Sequence, residues 1–137
     1  MSLVARFEDC TLPAGEFHHA GHVRVAWEYL REEPSLVDAL RRFAVSLRRF
    51  AEHHGQATLY HETITWAYVA LIHERMLFDP GADWPAFARA NGDLLTWKPS
   101  ILERYYTHET LFSDLARRTF LLPDRVVEEP ASSASPR

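Results

Sequence analysis

From Leu59 to Phe78 the chain runs 20 residues without a glycine or proline, and Ile64, Trp66, Ala67, Val69, Ala70, Leu71 and Ile72 make the stretch apolar on nearly every side. Its Thr, Ile, Val and aromatic content suits a strand, but the length exceeds that of ordinary strands, so a helix buried on several sides is predicted. Such a helix needs other amphipathic elements packed around it. With 137 residues in all, the chain is the size of one ordinary domain.

Eight prolines and five glycines fall mainly between the periodic segments and divide the chain into helices. After an irregular lead through Pro13 and Gly15, Val23, Ala26, Trp27 and Leu30 recur at helical spacing, which predicts a first helix over 17–32 ended by Pro34. Ser35 with Asp38 reads as a capping box for a second helix. Its stripe of Leu36, Leu40, Phe43, Leu47 and Phe50 lies opposite Arg41, Arg42, Arg48 and Arg49, and Gly55 is the expected C-cap. Asp83 with Pro85 opens a short helix that Gly92 closes, and Ser100 with Glu103 caps a turn reaching Tyr106. Thr107 begins a last helix whose end carries the cations Arg117 and Arg118, and Pro123 stops it. The apolar strap Phe120, Leu121 and Leu122 is expected to pack back on the bundle. The expected fold is all-α: a compact single-domain helical bundle over 1–125, with three long helices and two or three short C-terminal ones. Residues 126–137, VVEEPASSASPR, read as a flexible tail.

A formal charge of −4 provides no field that would draw the chain to nucleic acid or an anionic membrane, so small molecules, metals and proteins are the expected partners. Cys10 is the single cysteine, which leaves no internal disulfide and no thiolate zinc site. With no apolar signal segment and no apolar stretch long enough to span a bilayer, the cytoplasm is the expected location.

Short connections make consecutive helices antiparallel, so the start of the first, the end of the second and the start of the third share one end of the bundle. Six of the eight histidines fall there: His18, His19, His22, His53, His54 and His61. His18 and His22 stand one turn apart and can grip one metal. His61 leads into Thr65 and Tyr68, a polar row on an apolar helix, where each group needs a buried partner or a ligand. His73 lies twelve residues past His61, roughly 18 Å along the axis, and is left out of any shared centre.

Three readings follow. The histidines are structural, solvated or bonded to carbonyls. Alternatively His18, His22 and His61, with Glu62 or Glu16 as a fourth ligand, hold zinc, iron, nickel or copper. In the third, a metal-free pocket uses His22 or His61 as general acid or base, with Tyr60, Thr65, Trp66 and Tyr68 orienting a ligand. A protein of another class, a homodimer or assembly module formed through the short C-terminal helices, is the alternative to all site readings.

Other motifs are thin. A diiron centre needs two Glu-x-x-His pairs and only Glu16 with His19 has that spacing. No zincin, phosphate-loop, nucleophile-elbow or Cys-x-x-Cys motif occurs. The arginines of the second helix read as a solvated face, the tryptophans as core or pocket wall, and Glu74 with Arg75 as an ion pair. FHHAGH, HETIT and ARRTFLLPD together resemble a layout of short uncharacterised helical bacterial proteins, over most of the chain. That resemblance implies no activity and gives no residue a role.

Overall fold

The computed structural model describes residues 1–125, all of whose regular elements are helical. The segment 126–137, read above as a tail, lies outside the described residues. Three long helices, α2 (His19–Glu32), α3 (Leu36–His53) and α4 (Glu62–Phe78), each pack against the other two. Before them comes α1 (Leu3–Glu8), and after them α5 (Trp84–Ala90), α6 (Gly92–Leu95), α7 (His108–Leu111) and α8 (Asp114–Arg118), with single 3-10 turns at 14–16, 57–59 and 101–104. Among the described residues no helix is long and apolar enough to cross a membrane.

The termini of the helices follow local chemistry. Ser35 Oγ accepts from the Asp38 backbone N–H at 3.1 Å and donates to the Asp38 carboxylate at 2.8 Å. Asp38 is thus held by the cap residue's hydroxyl, a variant of the expected box. Gly55 follows α3 at φ 70°, the left-handed region. Its N–H reaches the Glu52 carbonyl while the Gln56 N–H reaches that of Ala51, the paired bonds of a Schellman end. Asp83 caps α5 through the Ala86 N–H, and Ser100 with Glu103 forms a complete capping box.

Three expectations need correction. The lead is not wholly irregular, because Ser2 caps the six-residue α1, which buries Val4 and Phe7. Gly92 does not close α5: Asn91 does, its side-chain amide bonding the Phe87 carbonyl, and Gly92 begins α6. The helix expected over 107–118 is broken at Ser113, whose hydroxyl donates to the Thr110 carbonyl and accepts from the Ala116 N–H, ending one turn and starting the next. α4 packs against α2, α3 and α8, the burial on several sides that was expected, and exposes Trp66, Leu77 and Phe78.

Its buried residues are Thr63, Thr65, Tyr68, Val69 and Ile72, which take in part of the polar row. Thr63 Oγ donates to the Thr119 carbonyl at 2.8 Å and accepts from the Leu121 N–H, Thr65 Oγ donates to the His61 carbonyl at 2.7 Å, and Tyr68 shares a 2.6 Å bond with Ser100. The Thr63 bonds draw α8 and the chain after it onto α4. There Phe120 stacks on Trp66 with centroids 5.1 Å apart, and Tyr106 donates to the Leu121 carbonyl. Phe120 and Leu121 form the expected strap, whereas Leu122 is exposed.

A further correction concerns Arg42, which turns away from solvent toward the carboxylates of Glu8, Glu32 and Glu33, at 3.1, 2.7 and 3.0 Å, over the ring of Tyr29. Tyr29 donates to the same Glu8. One guanidinium thereby ties α1, the end of α2 and the start of α3. Arg42→Ala leaves three carboxylates facing one another and is expected to lower stability by about 2 kcal/mol in urea unfolding. Arg42→Lys is expected to recover less than half, because a single ammonium does not span the three. Full recovery by lysine would refute the fork geometry.

Candidate functional site

The side chains of the six histidines expected to share one end go to three separate places, with His18 exposed. The first centres on aromatic rings. Phe17 is buried just before α2, and His22 stacks on it with centroids 4.2 Å apart and planes at 21°. Phe17 packs edge-on against Phe50 at 5.1 Å, and Phe50 meets His54 at 4.4 Å. Two phenylalanines therefore stand between His22 and His54. His53 touches His54 from the exposed side, and His54 Nε2 is buried with no hydrogen-bond partner among the described residues.

His19 forms the second place. Its Nε2 is 2.8 Å from the Leu94 carbonyl, so the proton sits on that nitrogen, and its ring lies against Tyr68 and Trp97. Burial pulls its pKa down and the Leu94 carbonyl partly opposes this.

His61 forms the third. It is the N-cap of α4, where Nδ1 accepts from the Ile64 N–H at 3.1 Å while Nε2 donates to the Leu111 carbonyl at 2.7 Å. Both ring nitrogens are engaged, in the neutral tautomer. Burial is the main cause that lowers its pKa, and the charge of Arg117 pushes the same way.

Of the metal candidates, His18 is exposed at the start of α2, His22 is stacked on Phe17, His61 is bonded at both nitrogens, and Glu62 is held by Arg48 and Tyr60. Glu16 is exposed in the turn before α2. Among the described residues no three His, Cys, Asp or Glu side chains form a group that could hold a metal ion. Of the ligand-binding candidates, Thr65 and Tyr68 are buried and bonded within the fold, and Trp66 pairs with Phe120 on the outer side of α4.

Tyr60 alone opens onto a cleft. About 350 Å³ in volume, it lies between the second half of α3, the turn before α4 and α8, and is lined by Arg48, Glu52, Ala57, Tyr60, Arg117 and Arg118. Tyr60 donates to Glu62 at 2.5 Å and carries the Arg48 guanidinium over its ring at 4.7 Å. Burial and the Glu62 carboxylate raise its pKa. Arg48 is ion-paired to Glu62 at 3.0 Å, and Arg117 and Arg118 both to Asp114 at 2.8 Å. A second cleft of about 390 Å³, at the loop after α6, is lined by both signs of charge, with Asp93 paired to Arg75 at 2.8 Å and to Arg104 at 3.5 Å.

Arginines were the residues that sequence reasoning missed. Arg48 looked like part of a solvated face and Arg117 with Arg118 like the end of a helix. The signal that could have joined them is the Thr63 bond to the Thr119 carbonyl, which lays α8 on α4 and is invisible to periodicity.

No protein-family model, curated protein or solved structure matches this chain.

Two variants read the state of the histidines. His61→Ala removes a cap and leaves the Leu111 carbonyl without its donor, and is expected to lower urea stability by about 1–3 kcal/mol. His61→Asn keeps only the capping acceptor and should fall between Ala and the natural residue. His22 is held at about 4 against an ordinary 6.5, chiefly by burial, with His19 and His18 adding and the Phe17 backbone opposing. Above 6.5 the ring is neutral in folded and unfolded chains alike. As the pH falls from 6.5 to 4 the unfolded chain takes up a proton that the folded one does not, so stability drops by up to about 3 kcal/mol. His22→Phe keeps the stack and should remove that part of the slope. Parallel slopes in the two proteins would show that His22 titrates normally.

Proposed function

We propose that this is a small-molecule-binding protein of the cytoplasm and that its ligand sits at the histidine-bearing end of the bundle, in the cleft beside Tyr60. One observation carries the reading: the cleft of about 350 Å³ brings together side chains from α3, α8 and the turn between α3 and α4, and its volume lies within the range of small-molecule sites. Arginine, glutamate and tyrosine side chains converge on it, and they are the groups that orient ligands.

The histidines support this reading as framework. With both nitrogens engaged, His61 has none left from which to move a substrate proton, so binding is favoured over acid-base catalysis. A metal centre has less support, because His18, His22, His61 and Glu62 are each directed to a different partner or to solvent. Assembly through the C-terminal helices has exposed Phe112 and Leu115 in its favour, but Leu77 and Phe78 are exposed at the far end of α4, so the apolar surface is divided.

A ligand-observed and protein-observed NMR screen tests the reading, using neutral, anionic and cationic fragments together with zinc, nickel, copper and iron salts. The expected hits displace one another and shift the resonances of Arg48, Tyr60 and Arg117. A metal that shifts His18, His22 and His61 together would replace this reading with a metal centre, and a screen with no saturable hit at the cleft would overturn it.

A further inference from the structure

The donors in the cleft are more specific than its volume. A guanidinium has five N–H donors spread over Nε and two Nη nitrogens in one plane. The hydrogen bonds found among the described residues engage one nitrogen of each arginine: Nη2 of Arg48 with Glu62, Nη2 of Arg117 with Asp114 and Nε of Arg118 with Asp114. Two nitrogens per arginine are left over. The carboxylates act as anchors: each holds its arginine by one edge, and Tyr60 lies under the plane of Arg48. Orientation fixed in advance lowers the entropy lost when a ligand binds.

Glu52 is the one carboxylate in the lining itself. It repels a bare anion and accepts from a hydroxyl or ammonium group, so it favours a ligand that carries such a donor beside its negative charge. The volume suits one small organic molecule. The net charge of −4 means that attraction to an anion comes from this cleft and not from the protein as a whole.

We propose, resting on the small-molecule reading above, that the ligand is a small oxyanion, a phosphate ester or a carboxylate carrying a hydroxyl or ammonium group. Arg48, Arg117 and Arg118 grip the oxyanion by their free edges, and Glu52 accepts from the neighbouring donor. Parallel N–H donors match the oxygens of either group, so the two sources share one chemistry.

Titrations followed by NMR shifts at fixed ionic strength test this, with glucose 6-phosphate, citrate, inorganic phosphate and neutral glucose as probes and chloride as the ionic control. Saturable shifts of Arg48, Tyr60 and Arg117 are expected with glucose 6-phosphate or citrate, and none with glucose or chloride. The stronger of the two identifies the group as phosphate or carboxylate. Arg118→Gln should weaken that binding about tenfold, the loss of one charge-assisted contact. Arg118→Lys should recover only part, and Arg104→Gln, at the second cleft, should change nothing. Arg118 is exposed and, among the described residues, its ion pair is with Asp114, and an unchanged thermal midpoint verifies that its variants fold.

Shifts that chloride reproduces, or an affinity that Arg118→Gln leaves unchanged, would overturn the proposal. If neutral fragments bind beside Tyr60 while every oxyanion fails, the ligand class is wrong and the small-molecule reading stands. If nothing binds there, both fall.

Discussion

The packing of Phe7, Phe17 and Phe50 is the contact on which the rest of this bundle depends. Their centroids stand 4.9, 5.1 and 5.3 Å apart, and each ring comes from a different segment: α1, the lead into α2, and the last turn of α3. Phe7 also meets Tyr29 and Phe43, so the cluster continues into the α2–α3 interface. Each buried phenylalanine contributes about 2 kcal/mol by transfer alone, and tilted or edge-on pairs add to this. A helix as short as α1 is not stable by itself in water, and Phe7 is what keeps it in place.

That cluster also decides what the histidines can do. An up, down, up bundle brings six of them to one end, but an end is a surface some 20 Å across, and a metal needs its ligands within about 2 Å of one point. Phe17 and Phe50 fill the centre of that surface. His22 and His54 are left on opposite sides of the aromatic rings, and His19 and His61 reach backbone carbonyls on α6 and α7. His19 and His61 join the C-terminal helices to the bundle, and the neutral ring of His61 serves as a two-sided hydrogen-bonding group.

Much of the fold was legible because it is written locally. The long helices follow from periodicity, Ser35 and Gly55 mark the ends of α3, and Asp83 and the Ser100–Glu103 box open α5 and the 3-10 turn at 101–104, all through bonds within a few residues. What was hidden depends on contacts distant in sequence or on uncommon usage. α1 is too short to show a helical period. Histidine is an unusual N-cap, so His61 read as a site and not as the start of α4. Ser113 inside a run of good helix formers gave little warning that its hydroxyl would break the helix. The polar row of α4 was recognised, but Tyr68 finds Ser100 some 30 residues away, and Thr63, outside that row, finds Thr119 and Leu121 nearly 60 away, beyond the reach of any pattern.

Arg42 and Arg48 show why charge alone could not locate the cleft. They lie on one helix and had the same expected role on a solvated face. At Arg42 the α2–α3 turn supplies Glu32 and Glu33 and α1 supplies Glu8, so that all three guanidinium nitrogens find carboxylate oxygens. Its binding capacity is used up inside the fold. At Arg48, near two turns further on, the neighbouring element is the start of α4, which offers only Glu62, and Tyr60 covers the face of the guanidinium while leaving its edge open. α8 then brings two more arginines anchored by a single aspartate. The difference lies in how many acceptors the surrounding backbone delivers to each arginine. Where that number falls short of the donors, oriented N–H groups remain for an external oxyanion.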